Sequence, residues 1–458
     1  MSELQKTVVL NVVGLCSNLI GKDTPFLQSL VEESTSTPVK PVIPAVTTTA
    51  QTTYLTGRYP NEHGIVANGW YFEEEAEIKL WRQSNRLVQG EKIWDEAKKK
   101  DPNFSCANLF WWYNMYSTVD YSITPRPMYP ADGRKIPDVY TYPMELRDEL
   151  QDSLGQFPLF KFWGPATSIE VSQWIARSAK MVEEKYAPTL TLIYLPHLDY
   201  NCQRHGPKHI SVEKDLQEVD AVIRDLYTYY EAKGANVLIL SEYGITPVNR
   251  AVHINRILRR AGLIQYRMER GREMLDAGAS DAFAMADHQI AHVYIKDKTR
   301  VEEVKKLLDG VEGVAEVLDE EGKKAYKLNH ERSGDLVLLA EDDAWFTYYY
   351  WLDDTKAPDY ARTVDIHRKP GYDPVEMFLD PKLWFPKLKV IATVLLRKLG
   401  FRMLMEVIPL DASLIKGSHG HLPKDKGDWP ILIQKEQIGE AEIEAHEVYE
   451  AISKSLNL

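Results

Sequence analysis

The stretch NVLILSEYGI (Asn236 to Ile245) runs four apolar residues, Val237 to Leu240, straight into Ser241-Glu242-Tyr243-Gly244. A short, unbroken apolar run of this kind suits a strand buried on both faces of a parallel sheet. The turn that closes it carries a carboxylate, and open α/β sheets bind ligands at the carboxyl ends of their strands. Taken alone, Glu242 has two readings, a solvated turn residue or an active-site acid.

The same pattern recurs along the chain. Thr7–Val13, Ser105–Phe110, Thr189–Leu195, Ala291–Ile295, Asp335–Leu339 and Pro430–Ile433 are further strand candidates. Between them lie helical patterns such as KIWDEAKKK, TSIEVSQWIARSAKMVEEKY and SVEKDLQEVDAVIRDLYTYYEAKG, the last closed by Gly234. This alternation predicts an α/β fold with a mostly parallel central sheet and helices on both faces. Two stretches read as insertions: an aromatic, proline-dotted region at about 111–163 and a small α+β unit at 297–340. The core is then 1–296 and 341–458.

Composition narrows the classes. The chain has 458 residues, 44% hydrophobic and 27% charged, with 55 Lys+Arg against 67 Asp+Glu and a net charge of −12. Such an acid excess argues against general nucleic-acid binding and leaves room for a local pocket that takes a small phosphorylated substrate. Three cysteines without close spacing form neither a disulfide framework nor a thiolate metal site. The opening MSELQKTVVLNVVGLC lacks the basic and long apolar regions of a secretory signal, so the expectation is a cytoplasmic protein, its oligomeric state unspecified. In FPKLKVIATVLLRKLGFRMLMEVIPL, Lys389, Arg397, Lys398 and Arg402 break up the apolar residues, and the uncharged run Val390–Leu396 is too short to span a bilayer. A core helix is the expectation there, and an amphipathic membrane-surface helix the alternative. The aromatic runs LFWWYNMY and AWFTYYYWLDD read as packing, with stacking on a base or a lipid-like group as the alternative.

The block PVIPAVTTTAQTTYLTGRYPNEHGIVANGWYF (Pro41 to Phe72) carries the most chemistry. Its threonine run suits a helix N-terminus, where hydroxyls satisfy free amides. The same place suits phosphoryl chemistry, because the helix dipole favours an anion. Pro44, Thr47, Thr56-Gly57, Pro60, His63-Gly64-Ile65 and Asn68, followed in order by LPHLDYNCQRHGP, LILSEYGI and GSHGHLP, resemble the type I phosphodiesterase/nucleotide pyrophosphatase family of the alkaline phosphatase superfamily. The resemblance extends over most of the chain.

It implies an alkaline-phosphatase-like fold and a two-metal hydrolase of phosphodiester or pyrophosphate bonds, with Thr47 as nucleophile. Asp199, Gln203, Glu242 and His419 stand at or beside family metal positions, and Asn68, Gln51 and Tyr243 on the substrate side. One or two divalent cations, Zn or Mn, are implied. The pattern is also altered. Val13 stands where a bridging Asp is expected, with Asn11 two residues before it; Gln203 replaces a His, with His205 two residues on; Glu242-Tyr243 replaces Asp-His; and Ala50 stands where an Asn is frequent. Two alternatives follow. One is a catalytically inactive binding scaffold. The other is a superfamily hydrolase or transferase acting on phosphonates, monoesters or sulfates. Asp287, His288 and His292, and Asp365, His367, Arg368 and Lys369, are further candidate ligands or anion binders, and His197 a candidate orienter of Asp199.

Overall fold

The computed structural model describes residues 4–365, 368–435 and 441–458. Its principal strands are β1 (Thr7–Val12), β2 (Thr35–Lys40), β3 (Cys106–Leu109), β4 (Tyr121–Pro125), β5 (Val139–Tyr142), β6 (Leu190–Leu195), β7 (Asn236–Leu240), β8 (Ala282–Asp287), β9 (Ile290–Ile295), β10 (Val314–Leu318), β11 (Leu336–Ala340), β12 (Ile431–Gln434) and β13 (Ile443–Glu444). The first seven join β12 and β13 in one nine-stranded sheet ordered β13-β2-β12-β7-β1-β6-β3-β4-β5. Its middle, β7-β1-β6-β3-β4, is parallel throughout. Antiparallel pairing is confined to β5 at one side and to β12 with its two neighbours at the other. Every residue of β1 and β6 is buried, as an uninterrupted apolar run requires of a strand covered on both faces.

Helices α1 (Thr47–Thr56), α2 (Glu170–Tyr186), α3 (His197–His205) and α4 (Ile210–Glu231) follow the chain through this layer. The helix Pro25–Glu33 and α2 both pack on α4, whereas α1 packs on the C-terminal helix Val448–Ser455. The aromatic region supplies β4 and β5 to the edge of the main sheet, so it is tied to the core by backbone pairing.

A second sheet, ordered β8-β9-β11-β10, is antiparallel and carries helix α5 (Val301–Leu308). It takes in β8 and β9 as well as the 297–340 segment. The run Trp345 to Trp351 fills its core, with Trp345, Tyr348, Tyr349, Tyr350 and Trp351 almost wholly buried. That aromatic stretch is packing.

One segment departs from expectation. Helix α6 (Pro386–Lys398) buries only Thr393 fully, and most of its apolar side chains face out. It is no core helix. A run of apolar residues at helical spacing marks a helix but does not say whether its apolar face is covered by the rest of the chain.

Two glycines explain motif spacing near the sheet's carboxyl edge. Gly244 bridges to Gly14 beyond β1, and a Cβ on it would lie 1.7 Å from the carbonyl oxygen of Asp428. A Cβ on Gly417 would lie 2.1 Å from the carbonyl oxygen of Cys202. Both turns therefore approach neighbouring backbone too closely for any side chain. Gly244→Ala is expected to destabilise by about 1–3 kcal/mol through overpacking. A thermal melt reads this directly, and an unchanged midpoint would show that the contact is not retained in solution.

Candidate active site

The carboxyl ends of β1, β6 and β7 and the start of α1 meet at one pocket. Thr47, Asn68, Trp81, Trp112, Phe162, Trp163, Tyr194, Pro196, Asp199, Tyr200, Tyr243, His288, Tyr372 and His419 line it, around about 460 Å³ of empty space that includes its mouth. No Lys or Arg is among the lining residues.

Thr47 is the first residue of α1, where backbone amides are free and the helix dipole is positive. Its Oγ1 lies 3.2 Å from the Tyr243 hydroxyl. That hydroxyl donates to Asp199 Oδ1 at 3.2 Å, and Gln203 Nε2, one helical turn further along α3, donates to the same oxygen at 2.8 Å. Burial pushes the Tyr243 phenol well above its ordinary pKa, with Asp199 and Glu242 adding to the shift, so Tyr243 stays a neutral donor. Burial raises the Asp199 carboxyl to about 6 against the pull of Gln203 and Tyr243. The Tyr243 ring stacks on His419 with centroids 3.6 Å apart and planes 3° from parallel.

Glu242, Gln51 and Gln203 form the layer behind this wall. Glu242 Oε1 accepts from Asn11 Nδ2 at 2.6 Å and from Gln51 Nε2 at 2.5 Å. Gln51 Oε1 in turn accepts from the Trp112 amide at 2.7 Å, so both ends of its side-chain amide are held internally. Complete burial pushes the Glu242 carboxyl up to about 8, a shift only partly offset by those hydrogen bonds. Glu242 is therefore buried at the carboxyl edge of the sheet and not solvated.

Asn68 closes the other side. Its Oδ1 accepts from the Thr48 amide at 3.1 Å, which ties down a free N–H of the first turn of α1. Its own backbone N and Nδ2 donate to Asp287 Oδ2 and Oδ1, at 2.9 and 3.2 Å. Asp287, at the end of β8, links the second sheet to the turn that begins α1. Next to it, His288 reaches the pocket wall and packs against His419 and Tyr372.

The other candidates have structural partners. His292 spans the Val66 carbonyl and the Gly334 amide. His205 is exposed and stacks on His209. Arg368 pairs with Asp365 at 3.1 Å, and buried Lys369 lies 2.7 Å from Glu376, whose other oxygen accepts from Trp163 Nε1. His367 lies outside the described residues. Val13 and Ala50 are buried among apolar side chains. Motif reading did not find Trp81, Trp163, Tyr194 or Tyr372, which reach the pocket from segments without a recognisable signature; aromatic richness was the only signal.

The residues fit the two-cation pattern only in part. On one half, Val13 offers no donor atom and Tyr243 remains a phenol, while Glu242 Oε1 is engaged by two amides and its Oε2, like Asn11 Oδ1, is buried and without a partner. On the other half, Asp199 and His419 are present. His419 Nδ1 bonds the Ala45 carbonyl at 2.8 Å, which leaves Nε2 as the lone-pair atom, buried and without a partner. Gln203 Oε1 is likewise buried and unpartnered. This half fits one hard or borderline cation. Among the described residues, three His, Asp or Glu side chains converge at a different place: His197, Asp215 and Glu218, with ligand atoms within 4.8 Å of one another, between α3 and α4. His197 therefore pairs with these two carboxylates and not with Asp199.

The family model for type I phosphodiesterase/nucleotide pyrophosphatase matches residues 7–373. The chain belongs to this family. An uncharacterised pyrophosphatase/phosphodiesterase of Schizosaccharomyces pombe is 26% identical over 247 residues, 51% of this chain and 44% of the relative. Ectonucleotide pyrophosphatase/phosphodiesterase 2 of Saccharomyces cerevisiae is 24% identical over 262 residues, 53% of this chain and 48% of the relative. The matched segment thus spans less than half the length of these relatives. Among solved structures, murine ectonucleotide pyrophosphatase/phosphodiesterase 5 aligns with a TM-score of 0.60 at 14% identity, covering 99% of this chain and 95% of that one. Phosphonoacetate hydrolase of Sinorhizobium meliloti aligns at 0.61 and 12% identity, covering 99% and 96%. These likenesses establish the alkaline-phosphatase-like fold.

The raised Glu242 carboxyl has a stability consequence. The folded state holds this proton more tightly than the unfolded chain, so its contribution is fully present below about pH 4.5 and is lost as pH rises through about 8. Glu242→Gln keeps an acceptor for Asn11 and Gln51 and removes the titration. Its thermal midpoint is expected to exceed the wild-type value at pH 8.5 and to converge on it near pH 5; equal midpoints at pH 8.5 would refute the assignment.

Proposed function

We propose that the chain hydrolyses phosphodiester or pyrophosphate bonds of a small phosphorylated substrate, with Thr47 as the nucleophile. The observation that carries this reading is the position of Thr47. It is the first residue of a helix, on the wall of an aromatic pocket, with its hydroxyl against Tyr243 and, through Tyr243, against Asp199.

The phenol donates to Asp199, so its oxygen is free to accept from the Thr47 hydroxyl. Thr47 Oγ1 then turns a lone pair toward the pocket, where phosphorus would sit. Asn68 holds the first turn of α1, keeping the remaining free amides directed at the phosphate oxygens. With no Lys or Arg on the wall, positive potential comes from this helix end and from a cation. Asp199, Gln203 Oε1 and His419 Nε2 would hold one divalent ion, Zn²⁺ or Mn²⁺, which when bound supplies Lewis-acid polarisation of the phosphoryl group. Murine ectonucleotide pyrophosphatase/phosphodiesterase 5 has been solved as an inactive threonine-to-alanine variant in complex with AMP, which supports a threonine role and a nucleotide-type substrate here.

The closed Asn11–Glu242–Gln51 network favours a second reading, a phosphoanion-binding scaffold without turnover. Hydrolysis of an aryl phosphodiester with Mn²⁺, Zn²⁺ and Mg²⁺ titrated separately distinguishes the two, with aryl phosphonate, phosphate and sulfate monoesters as parallel substrates. The expected result is a metal-stimulated rate that falls at least about 100-fold in Thr47→Ala. His419→Ala is expected to abolish the metal stimulation. A fully active Thr47→Ala protein would remove the nucleophile assignment, and absence of any rate in the wild type would select the scaffold.

A further inference from the structure

We propose that the outward face of α6 docks on an anionic lipid bilayer and lies in its interface plane. Leu388, Ile391 and Leu395 follow one another at helical spacing on one face of α6, with Trp384 just before the helix and Leu399 at its C-cap. All five are exposed, Trp384 by 91%, Leu388 by 60% and Leu399 by 74%. The opposite side of the helix, through Val390 and Thr393, is the side that meets the protein. Phe385 and Phe401 extend the exposed surface at the two ends of the helix. A contiguous apolar surface of this kind requires a partner.

Charge complementarity identifies that partner. From Pro381 to Met405 the chain carries Lys382, Lys387, Lys389, Arg397, Lys398 and Arg402 and no acid, within a protein whose net charge is −12. Lys387 and Lys398 flank the apolar stripe by position on the helix. Lys389 and Arg397 fold back onto the carbonyls of Glu406 and Met403 and hold the returning segment against the helix. A basic helix with an aromatic and aliphatic face is the arrangement that binds a negatively charged membrane surface. Among the described residues no helix is long and apolar enough to cross a bilayer, so α6 lies on the membrane and does not span it.

The segment is an excursion closed at its base, where the Asp380 amide donates to the Val407 carbonyl at 2.7 Å. None of its side chains lines the catalytic pocket. It can therefore be altered without touching the site described above, and the proposal stands whether or not that site turns substrate over.

The test is co-sedimentation of the full chain with vesicles of phosphatidylcholine plus phosphatidylserine and with phosphatidylcholine alone. The wild type is expected to pellet with the serine-containing vesicles, less so as salt is raised. Leu388→Asp combined with Leu395→Asp should reduce the bound fraction at least about tenfold. Lys387→Glu combined with Lys398→Glu, a pair of exposed positions that leaves folding intact, should weaken binding and its salt dependence. Thermal melts of each variant confirm the fold. A wild type that stays in the supernatant with both vesicles would overturn the proposal, as would undiminished binding of both variants. A wild-type dimer in sedimentation velocity, returned to monomer by the aspartate pair and without vesicle binding, would assign the face to a second copy and overturn it too.

Discussion

The site depends on one buried carboxyl. Glu242 closes the strand β7, accepts from Asn11 on β1 and from Gln51 on α1, and so joins two central strands to the helix that begins with Thr47. Removing a carboxyl from water is costly unless hydrogen bonds compensate, and here neutral amides do so without a counter-charge. Burial accordingly raises its pKa to about 8. The result is a hydrogen-bonded clamp with Asn11 and Gln51 as donors, beside an apolar Val13 and a Tyr243 phenol whose ionisation burial opposes.

The other half of the site is built around Asp199. Asp199, Gln203 and His419 keep lone pairs available: His419 because its Nδ1 is committed to the Ala45 carbonyl, Gln203 because its amide nitrogen is committed to Asp199. Tyr243 belongs to both halves, since its ring supports His419 and its hydroxyl spans Thr47 and Asp199. One side chain thereby couples the placement of Thr47 to that of Asp199 and His419.

Much of this was legible from the residues. Seven apolar runs fall on strands because a strand buried on both faces leaves no alternative composition. Thr47 at a helix start, and the positions of Glu242, Asp199 and His419 around one sheet edge, follow from motif order. The partners of those groups were not legible. Asn68 accepts from the Thr48 amide and itself donates to Asp287, some two hundred residues away and in another sheet, and no local pattern encodes such a contact. Nor could spacing show that His197 turns to Asp215 and Glu218, or that Lys369 is neutralised by Glu376 in the interior. Helix α6 shows the limit most plainly, because an apolar residue records a demand for burial without recording what satisfies it.

The aromatic wall gives the pocket one more property. Three of the chain's 11 tryptophans, Trp81, Trp112 and Trp163, border the same space, and the first two lie with ring centroids 4.8 Å apart. Indole emission responds to polarity and to nearby quenchers. Any molecule that enters displaces water beside these rings, so the pocket carries its own optical reporter of occupancy.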